Sequence, residues 1–229
     1  MISVVIPAYN ETEKIVPTVN AARQALPGAS EIIVVDDCSK DDTWQKAQGA
    51  GAKVLRMQRR MGKGAALMQG TVEAGGDIVV FLDADIGETA GEIRKLIQPI
   101  ANDEADMAVA RFPDLSPTKR TGFGVVKLTA YCGVKQLCGR KMSAILSGQR
   151  AARRSTFLSL MPFAPGFGVE IGLTIDALRK GLRIIEVECS MTHRVTGRNL
   201  VGFYHRSRQF YWIARAIAAR CIKRQSGEI

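Results

Sequence analysis

"DIVVFLDAD", residues 77–85, runs without a polar break from Ile78 to Leu82 and then places two aspartates one residue apart. A strand with one wet face alternates apolar with polar residues. This one does not, so both of its faces are expected to be covered, as in parallel sheets flanked by helices. "ISVVIPA" (2–8) and "EIIVVDD" (31–37) read the same way, and "AKVLRM" (52–57) is a shorter strand of the same kind. Amphipathic stretches separate them. One runs from about Glu13 to Leu26, a second opens at Asp41, Asp42 and Thr43 and ends around Gly49 to Gly51, and a third is "GKGAALMQGTVEA" (62–74), closed by Gly75 and Gly76. Strand and helix in strict alternation predict a doubly wound α/β fold with a mostly parallel central sheet.

The second half is less regular. A helix is expected at about 90–101 and a strand at 105–111. "FPDLSPTKRTGFG" (112–124) reads as a loop, because two prolines and two glycines interrupt it. A helix from about Val125 to Cys138 follows, then "KMSAILSGQRAARRS" (141–155) without a clear period, a helix over 169–181 and a strand over 183–189. No repeat or linker divides the chain. The expected organisation is one domain in two halves, residues 1–111 and 112–229.

The composition suits that reading. With 229 residues, 46% hydrophobic and 24% charged, the chain is long enough for one sizeable core and is not of disordered character. No apolar run reaches the roughly 20 residues that span a bilayer, and Met1 leads straight into a strand. Cys38, Cys132, Cys138, Cys189 and Cys221 lack zinc-like spacing, and their odd number fits reduced thiols, so a cytoplasmic protein is expected. The net charge of +10 collects late, since no acid occurs between Arg194 and Glu228. Phosphorylated substrates or an anionic membrane face are its expected partners. Nucleic acid is not, because no zinc finger, RNA-binding signature or helix-turn-helix pattern is present.

In open α/β sheets ligands bind beyond the carboxyl ends of the strands. Three polar segments fall there: "PAYNE" (7–11), "VDDCS" (35–39) and "DAD" (83–85), with Gly62-Lys63-Gly64 opening a helix nearby. One acidic strand end reads most simply as a helix cap. Three together with a basic glycine turn point to a nucleotide site. Asp83 and Asp85 can share a hard cation, Mg²⁺ or Mn²⁺, which takes the rest of its shell from water and phosphate oxygens and neutralises a departing diphosphate. Lys63 can reach the same phosphates. No G-x-x-x-x-G-K-[ST] and no G-x-G-x-x-G after a strand occurs, which disfavours ATPase and dinucleotide chemistry.

"VVIPAYNE" (4–11), "IIVVDDCSKDDT" (32–43), "GKGAALMQG" (62–70) and "DIVVFLDADI" (77–86) resemble, in order and context, the GT-A glycosyltransferases of family 2. The resemblance implies a GT-A fold, a nucleoside held by Pro7, Ala8, Tyr9, Glu11, Asp36 and Asp37, a diphosphate contact at Lys63, and an Asp-x-Asp metal motif in Asp83, Ala84 and Asp85. "LSGQRAARRSTFLSLMPFAPGFGVEIGLTIDALRKG" (146–181) is similar to the glucosyl-3-phosphoglycerate synthases. That likeness implies an acidic active-site residue at Glu170 and a third metal ligand at His193, next to Arg194. Ser147-Gly148-Gln149-Arg150 is also similar to a turn of the polyprenyl-phosphate glycosyltransferases. Where the phosphoglycerate enzymes carry a Gly-Arg-x-Thr acceptor turn, this chain reads Gly122-Phe123-Gly124-Val125, which leaves Lys119, Arg120, Arg150 and Arg194 to hold an anionic acceptor, with Arg111, Arg153 and Arg154 as further candidates.

The expected activity is transfer of a sugar, glucose from UDP-glucose, to a phosphate- or carboxylate-bearing acceptor such as 3-phosphoglycerate, with a polyprenyl or dolichyl phosphate as the alternative. Nucleotidyl transfer is the weaker rival, because no glycine follows the first strand to cradle a triphosphate. Glu170 fits two roles, orienting group or general base, and also a plain helix N-terminal acid. The basic C-terminal helix fits a membrane surface, a homodimer contact or packing on the core.

Overall fold

The computed structural model describes residues 1–26, 28, 30–112, 124–191 and 200–225, with the side chains of the last helix described from 207 to 222. Strands β1 (Ile2–Ala8), β2 (Ser30–Asp36), β3 (Lys53–Arg56), β4 (Ile78–Phe81), β5 (Met107–Arg111), β6 (Arg150–Arg153) and β7 (Ile184–Glu188) form one sheet in the order β3-β2-β1-β4-β6-β5-β7. The pairs β3-β2, β2-β1, β1-β4 and β5-β7 are parallel, and β6 runs antiparallel to both β4 and β5. All strands but β6 therefore end on one edge of the sheet, and β6 begins there.

Near-continuous apolar strands are covered on both faces, as their sequence requires. Val4, Ile6, Ile32, Val34, Val80 and Ala108 point to one side, where they meet Ile15 and Val19 of α1 (Ile15–Ala25), Ala47 of α2 (Thr43–Gly49) and Ile93, Leu96 and Ile100 of α4 (Ile93–Ala101). The intervening residues Val5, Ile33, Val35, Val79, Phe81 and Val109 point to the other. They meet Ala66 and Leu67 of α3 (Lys63–Glu73), Phe157 of α6 (Arg154–Ser159) and Val169 and Leu173 of α7 (Val169–Arg179). Phe81 and Phe157 stack at 4.0 Å between centroids across this second layer. A third core lies outside it, where Ile171 and Ile175 of α7 meet Val126, Ala130 and Val134 of α5 (Gly124–Cys138) and Ile213 and Ala216 of α8 (Leu200–Gln225).

The element boundaries depart from expectation where function concentrates. β4 stops at Phe81, so Asp83 and Asp85 stand on the turn beyond the strand instead of within it. The expected helix at 90–101 is a 3-10 turn over Gly87–Glu92 followed by α4. "RAAR" (150–153), unassigned from periodicity, is the antiparallel strand β6. Its small Ala151 and Ala152 are fully buried between β4 and β5. The sequence segment 113–123 lies outside the described residues.

Candidate active site

The carboxyl edge is assembled from backbone clasps before any charged group is placed. The Asp37 N–H donates to the Ala8 carbonyl at 2.8 Å, which keeps the turn after β2 beside the turn after β1. The Asn10 N–H donates to Ser39 Oγ at 3.0 Å, the Lys40 N–H to Asn10 Oδ1 at 2.9 Å, and the Glu11 N–H to Thr43 Oγ1 at 2.8 Å. Asn10 and Cys38 adopt positive φ of 56° and 63° at these turns, a conformation Asn tolerates better than most residues. Tyr9 lies beneath the Arg60 guanidinium, 3.6 Å from ring centroid to Cζ. Pro7 and Ala8 complete β1 at this edge.

The two aspartates after β2 differ in what they touch. Asp36 is fully buried; its Oδ2 accepts from the Ser39 N–H at 3.2 Å and lies 3.6 Å from Arg56 Nε, while its Oδ1 is buried without a hydrogen-bond partner. Asp37 uses both oxygens on the turn before α3, accepting from the Met61 N–H at 2.6 Å and the Gly62 N–H at 2.8 Å. It thereby sets the start of α3. Gly62 adopts φ 89° and Gly64 has its backbone against the Ala164 carbonyl, where a Cβ would collide. The Gly-Lys-Gly spacing is thus a geometric requirement, and it aims Lys63 across the edge.

Lys63 joins the halves of the chain. Its Nζ lies 2.6 Å from Asp83 Oδ1 and 2.6 Å from Glu170 Oε1, the latter in the first turn of α7. Its side chain is one-fifth exposed and that of Glu170 one-tenth. Burial pulls the ammonium pKa down, but the charges of Asp83 and Glu170 and their hydrogen bonds outweigh it and hold Lys63 above the ordinary lysine value. Glu170 is more than a dipole-stabilised helix acid, because it shares this cation with the Asp-x-Asp turn.

Three residues that spacing did not single out as site residues complete the junction. Gln149 Nε2 donates to Asp83 Oδ2 at 2.8 Å, and Ser147 Oγ donates to Gln149 Oε1 at 3.1 Å. Gly148 passes so close that a Cβ would lie 2.6 Å from both Asp83 Oδ2 and Lys63 Nζ.

Arg150, expected at the acceptor, is instead 1% exposed. Its Nε donates to the Ser147 carbonyl at 3.0 Å, its Nη2 to the Ile145 carbonyl at 2.7 Å and its Nη1 to Thr174 Oγ1 at 2.9 Å, while Thr174 Oγ1 donates to the Glu170 carbonyl at 3.0 Å. Burial lowers the guanidinium pKa to about 10, opposed by the Glu170 charge, and leaves it a cation at neutral pH. Arg150 therefore holds the turn over 145–149 and the start of α7 together from below. Arg153 and Arg154 are also displaced from acceptor duty. Arg153 pairs with Ile78 at the opposite edge of the sheet, and Arg154 donates to the Thr71 and Val72 carbonyls. Arg111 ends β5 on the active edge and pairs with Glu188 at 2.7 Å. His193, Arg194, Lys119 and Arg120 lie outside the described residues.

Hard oxygen donors at Asp83 and Asp85, beside an ammonium already seated 2.6 Å from Asp83, make an environment built for positive charge. This donor set fits Mg²⁺ or Mn²⁺, which accept few protein ligands and complete their shells from water and phosphate. Among the described residues no third His, Cys, Asp or Glu joins them in a group placed to hold a metal.

Comparison with known proteins bears on the same edge. The model of the family "Glycosyl transferase family 2" matches residues 3–131. A glucosyl-3-phosphoglycerate synthase of Mycobacterium tuberculosis is 36% identical over 205 residues, covering 80% of this chain, which spans 63% of that relative's length. An undecaprenyl-phosphate mannosyltransferase of Micrococcus luteus is 28% identical over 213 residues, 85% of each chain. A crystal structure of the M. tuberculosis synthase in complex with Mn²⁺, uridine diphosphate and phosphoglyceric acid superposes with a TM-score of 0.79 at 32% identity, covering 96% of this chain and 78% of that one. The chain belongs to glycosyl transferase family 2 and has the GT-A fold.

Proposed function

We propose that this protein is a metal-dependent glycosyltransferase that moves glucose from UDP-glucose to a small acceptor bearing phosphate and carboxylate, such as 3-phosphoglycerate. The observation that carries the proposal is the junction of Lys63, Asp83 and Glu170, which ties residues 1–111, proposed as the nucleotide-sugar-binding half, to residues 112–229, proposed as the acceptor-binding half, at the carboxyl edge of the sheet. The homologous synthase crystallised with Mn²⁺, UDP and phosphoglyceric acid supports the choice of ligands.

Asp83 and Asp85, with His193 as the expected third ligand, would hold Mg²⁺ or Mn²⁺, which when bound neutralises charge gathering on the leaving diphosphate. Lys63 supplies a second positive charge to the same oxygens, in a site shielded enough to strengthen it. As Lys63 turns to the diphosphate, Glu170 is released to face the sugar and the acceptor hydroxyl. The Pro7 to Glu11 turn and the Asp36 to Asp37 turn, clasped to each other, form the wall against which the nucleoside lies. Ala84 brings its backbone between the two metal-binding carboxylates. A product with retained anomeric configuration makes Glu170 an orienting group, and an inverted one makes it the general base. Lys119, Arg120 and Arg194 are the cations proposed for the acceptor.

Isothermal titration with UDP-glucose tests the donor side. Binding that tightens with Mn²⁺ and loses that dependence in Asp85→Ala is expected; absence of binding by the wild type, or an unchanged metal dependence in the variant, refutes the proposal. A product screen then separates 3-phosphoglycerate from polyprenyl phosphate. The second acceptor is favoured by the Ser147-Gly148-Gln149-Arg150 turn and by the Micrococcus relative.

A further inference from the structure

The two outer helices have a charge pattern that neither the donor site nor the fold explains. Between them α5 and α8 contain no Asp or Glu. Lys127, Lys135, Arg208 and Arg215 stand exposed on them, whereas Arg220 is buried and paired with Asp176. Most large apolar side chains that are exposed among the described residues sit on the same two helices: Val125 (67%), Leu128 (61%), Phe210 (41%), Tyr211 (57%) and Ile222 (66%).

Helical geometry gathers these residues. At about 100° per residue, Val125, Leu128, Cys132 and Lys135 fall on one face of α5, and Arg208, Tyr211, Arg215 and Ile222 on one face of α8. Each helix turns its opposite stripe inward to the shared third core, through Val126, Ala130 and Val134 and through Ile213 and Ala216. The pair packs closely at Gly133, where a Cβ would lie 2.7 Å from Ile217 Cδ1. These two faces thus lie on the outward surface of the α5 and α8 layer. Packing on the core and exposure of an amphipathic face, alternatives in the sequence, occur together.

We propose that this outward face docks the protein on an anionic lipid surface, with Leu128, Tyr211 and Val125 entering the headgroup boundary and Arg208, Arg215 and Lys135 meeting lipid phosphates. Three arguments select this occupant. A second copy of the chain would have to present the same acid-free face in a two-fold contact and oppose cation to cation. Nucleic acid would reward the cations but not exposed leucine and valine, whereas interfacial binding rewards both. No helix among the described residues is long and apolar enough to cross a membrane, so the contact is a surface one. The face also adjoins the acceptor side of the site, because the Trp212 ring covers Gly166 in the turn that leads into α7 and Glu170.

The experiment is co-sedimentation of the full chain with vesicles of equal parts phosphatidylcholine and phosphatidylglycerol, and with phosphatidylcholine alone. Binding to the anionic vesicles is expected, weaker on the neutral ones, with part surviving at about 0.5 M salt, where long-range attraction is screened. Leu128→Ser/Tyr211→Ser is expected to weaken it about tenfold or more, from the apolar area withdrawn. Both side chains are exposed, so an unchanged melting curve confirms that the variant is folded. Failure of the wild type to pellet, or equal binding by the double variant, overturns the proposal. So does a dimer in sedimentation velocity that this variant dissolves, since a second copy would then occupy the face. UDP-glucose titration is a separate readout, so loss of vesicle binding leaves the proposed transferase activity standing, and the reverse.

Discussion

Gly148 has no room for a side chain, and what crowds it is charge. A methyl group there would sit 2.6 Å from Asp83 Oδ2 and from Lys63 Nζ, so one of them must leave its partner. Gly148→Ala is expected to fold, with a stability loss of about 1–3 kcal/mol from overpacking, and to weaken Mn²⁺-dependent UDP-glucose binding by about tenfold or more, measured by titration calorimetry. Gln149→Ala leaves Asp83 Oδ2 without its 2.8 Å donor. The expected result is a folded protein with reduced kcat/KM and a weaker response to Mn²⁺, because the carboxylate is no longer held in one rotamer. Lys63 and Asp83 were legible because charged residues at strand ends and between glycines read as chemistry, and Glu170 only through the likeness of its segment to the glucosyl-3-phosphoglycerate synthases. Gln149 and Gly148 were not, since they meet Asp83 only through a sheet that brings positions 66 apart in sequence together. Arg150 misled for the converse reason: an arginine in a turn reads as exposed, and only its place at the start of a buried strand shows otherwise.

At the scale of elements, the strands announced by unbroken Val and Ile runs all formed, and the one that periodicity missed is β6. "RAAR" lacks the β-branched residues that mark a strand, and it is tolerated there because Ala151 and Ala152 fit the crowded centre between β4 and β5. Close approach of a helix to the sheet is equally demanding at Gly70 of α3. A Cβ there would collide with Val5 Cγ1 and lie 3.1 Å from Val35 Cγ2. Gly70→Ala gains up to about 1 kcal/mol in helix propensity, but overpacking costs about 1–3 kcal/mol, so a lowered Tm is expected in a thermal melt.

The amino edge of the sheet has its own fastening, where Asp106 accepts from the Arg183 N–H at 2.7 Å and from its guanidinium at 3.0 Å. The Arg183 side-chain hydrogen bond, then its backbone N–H, hold the Asp106 carboxyl below the usual carboxylate value against a smaller burial effect. A depressed folded pKa means stability that is present above the ordinary value of about 3.9 and is lost as pH falls through the folded one. Asp106→Asn should therefore melt below the wild type at pH 7, and the two curves should converge as the pH is taken below that window.

Across the whole molecule, the sheet does not divide at residue 111, because β6 and β7 of the second half flank β5 of the first, and β6 stands between β5 and β4. On the proposed function, donor binding and overall stability are linked. A ligand that occupies only the folded protein stabilises it by RT ln(1 + [L]/Kd), about 2.7 kcal/mol at a hundredfold excess over Kd. For a chain of 229 residues each kcal/mol raises Tm by roughly 2–4 °C. Saturating UDP-glucose with Mn²⁺ should thus raise Tm by about 5–10 °C, more than either alone. In Asp85→Ala the part of the rise that needs Mn²⁺ should vanish, while the metal-independent part, set by the clasped turns at Asn10 and Ser39, should remain. Equal rises in the two proteins would place the cation elsewhere than on the turn after β4.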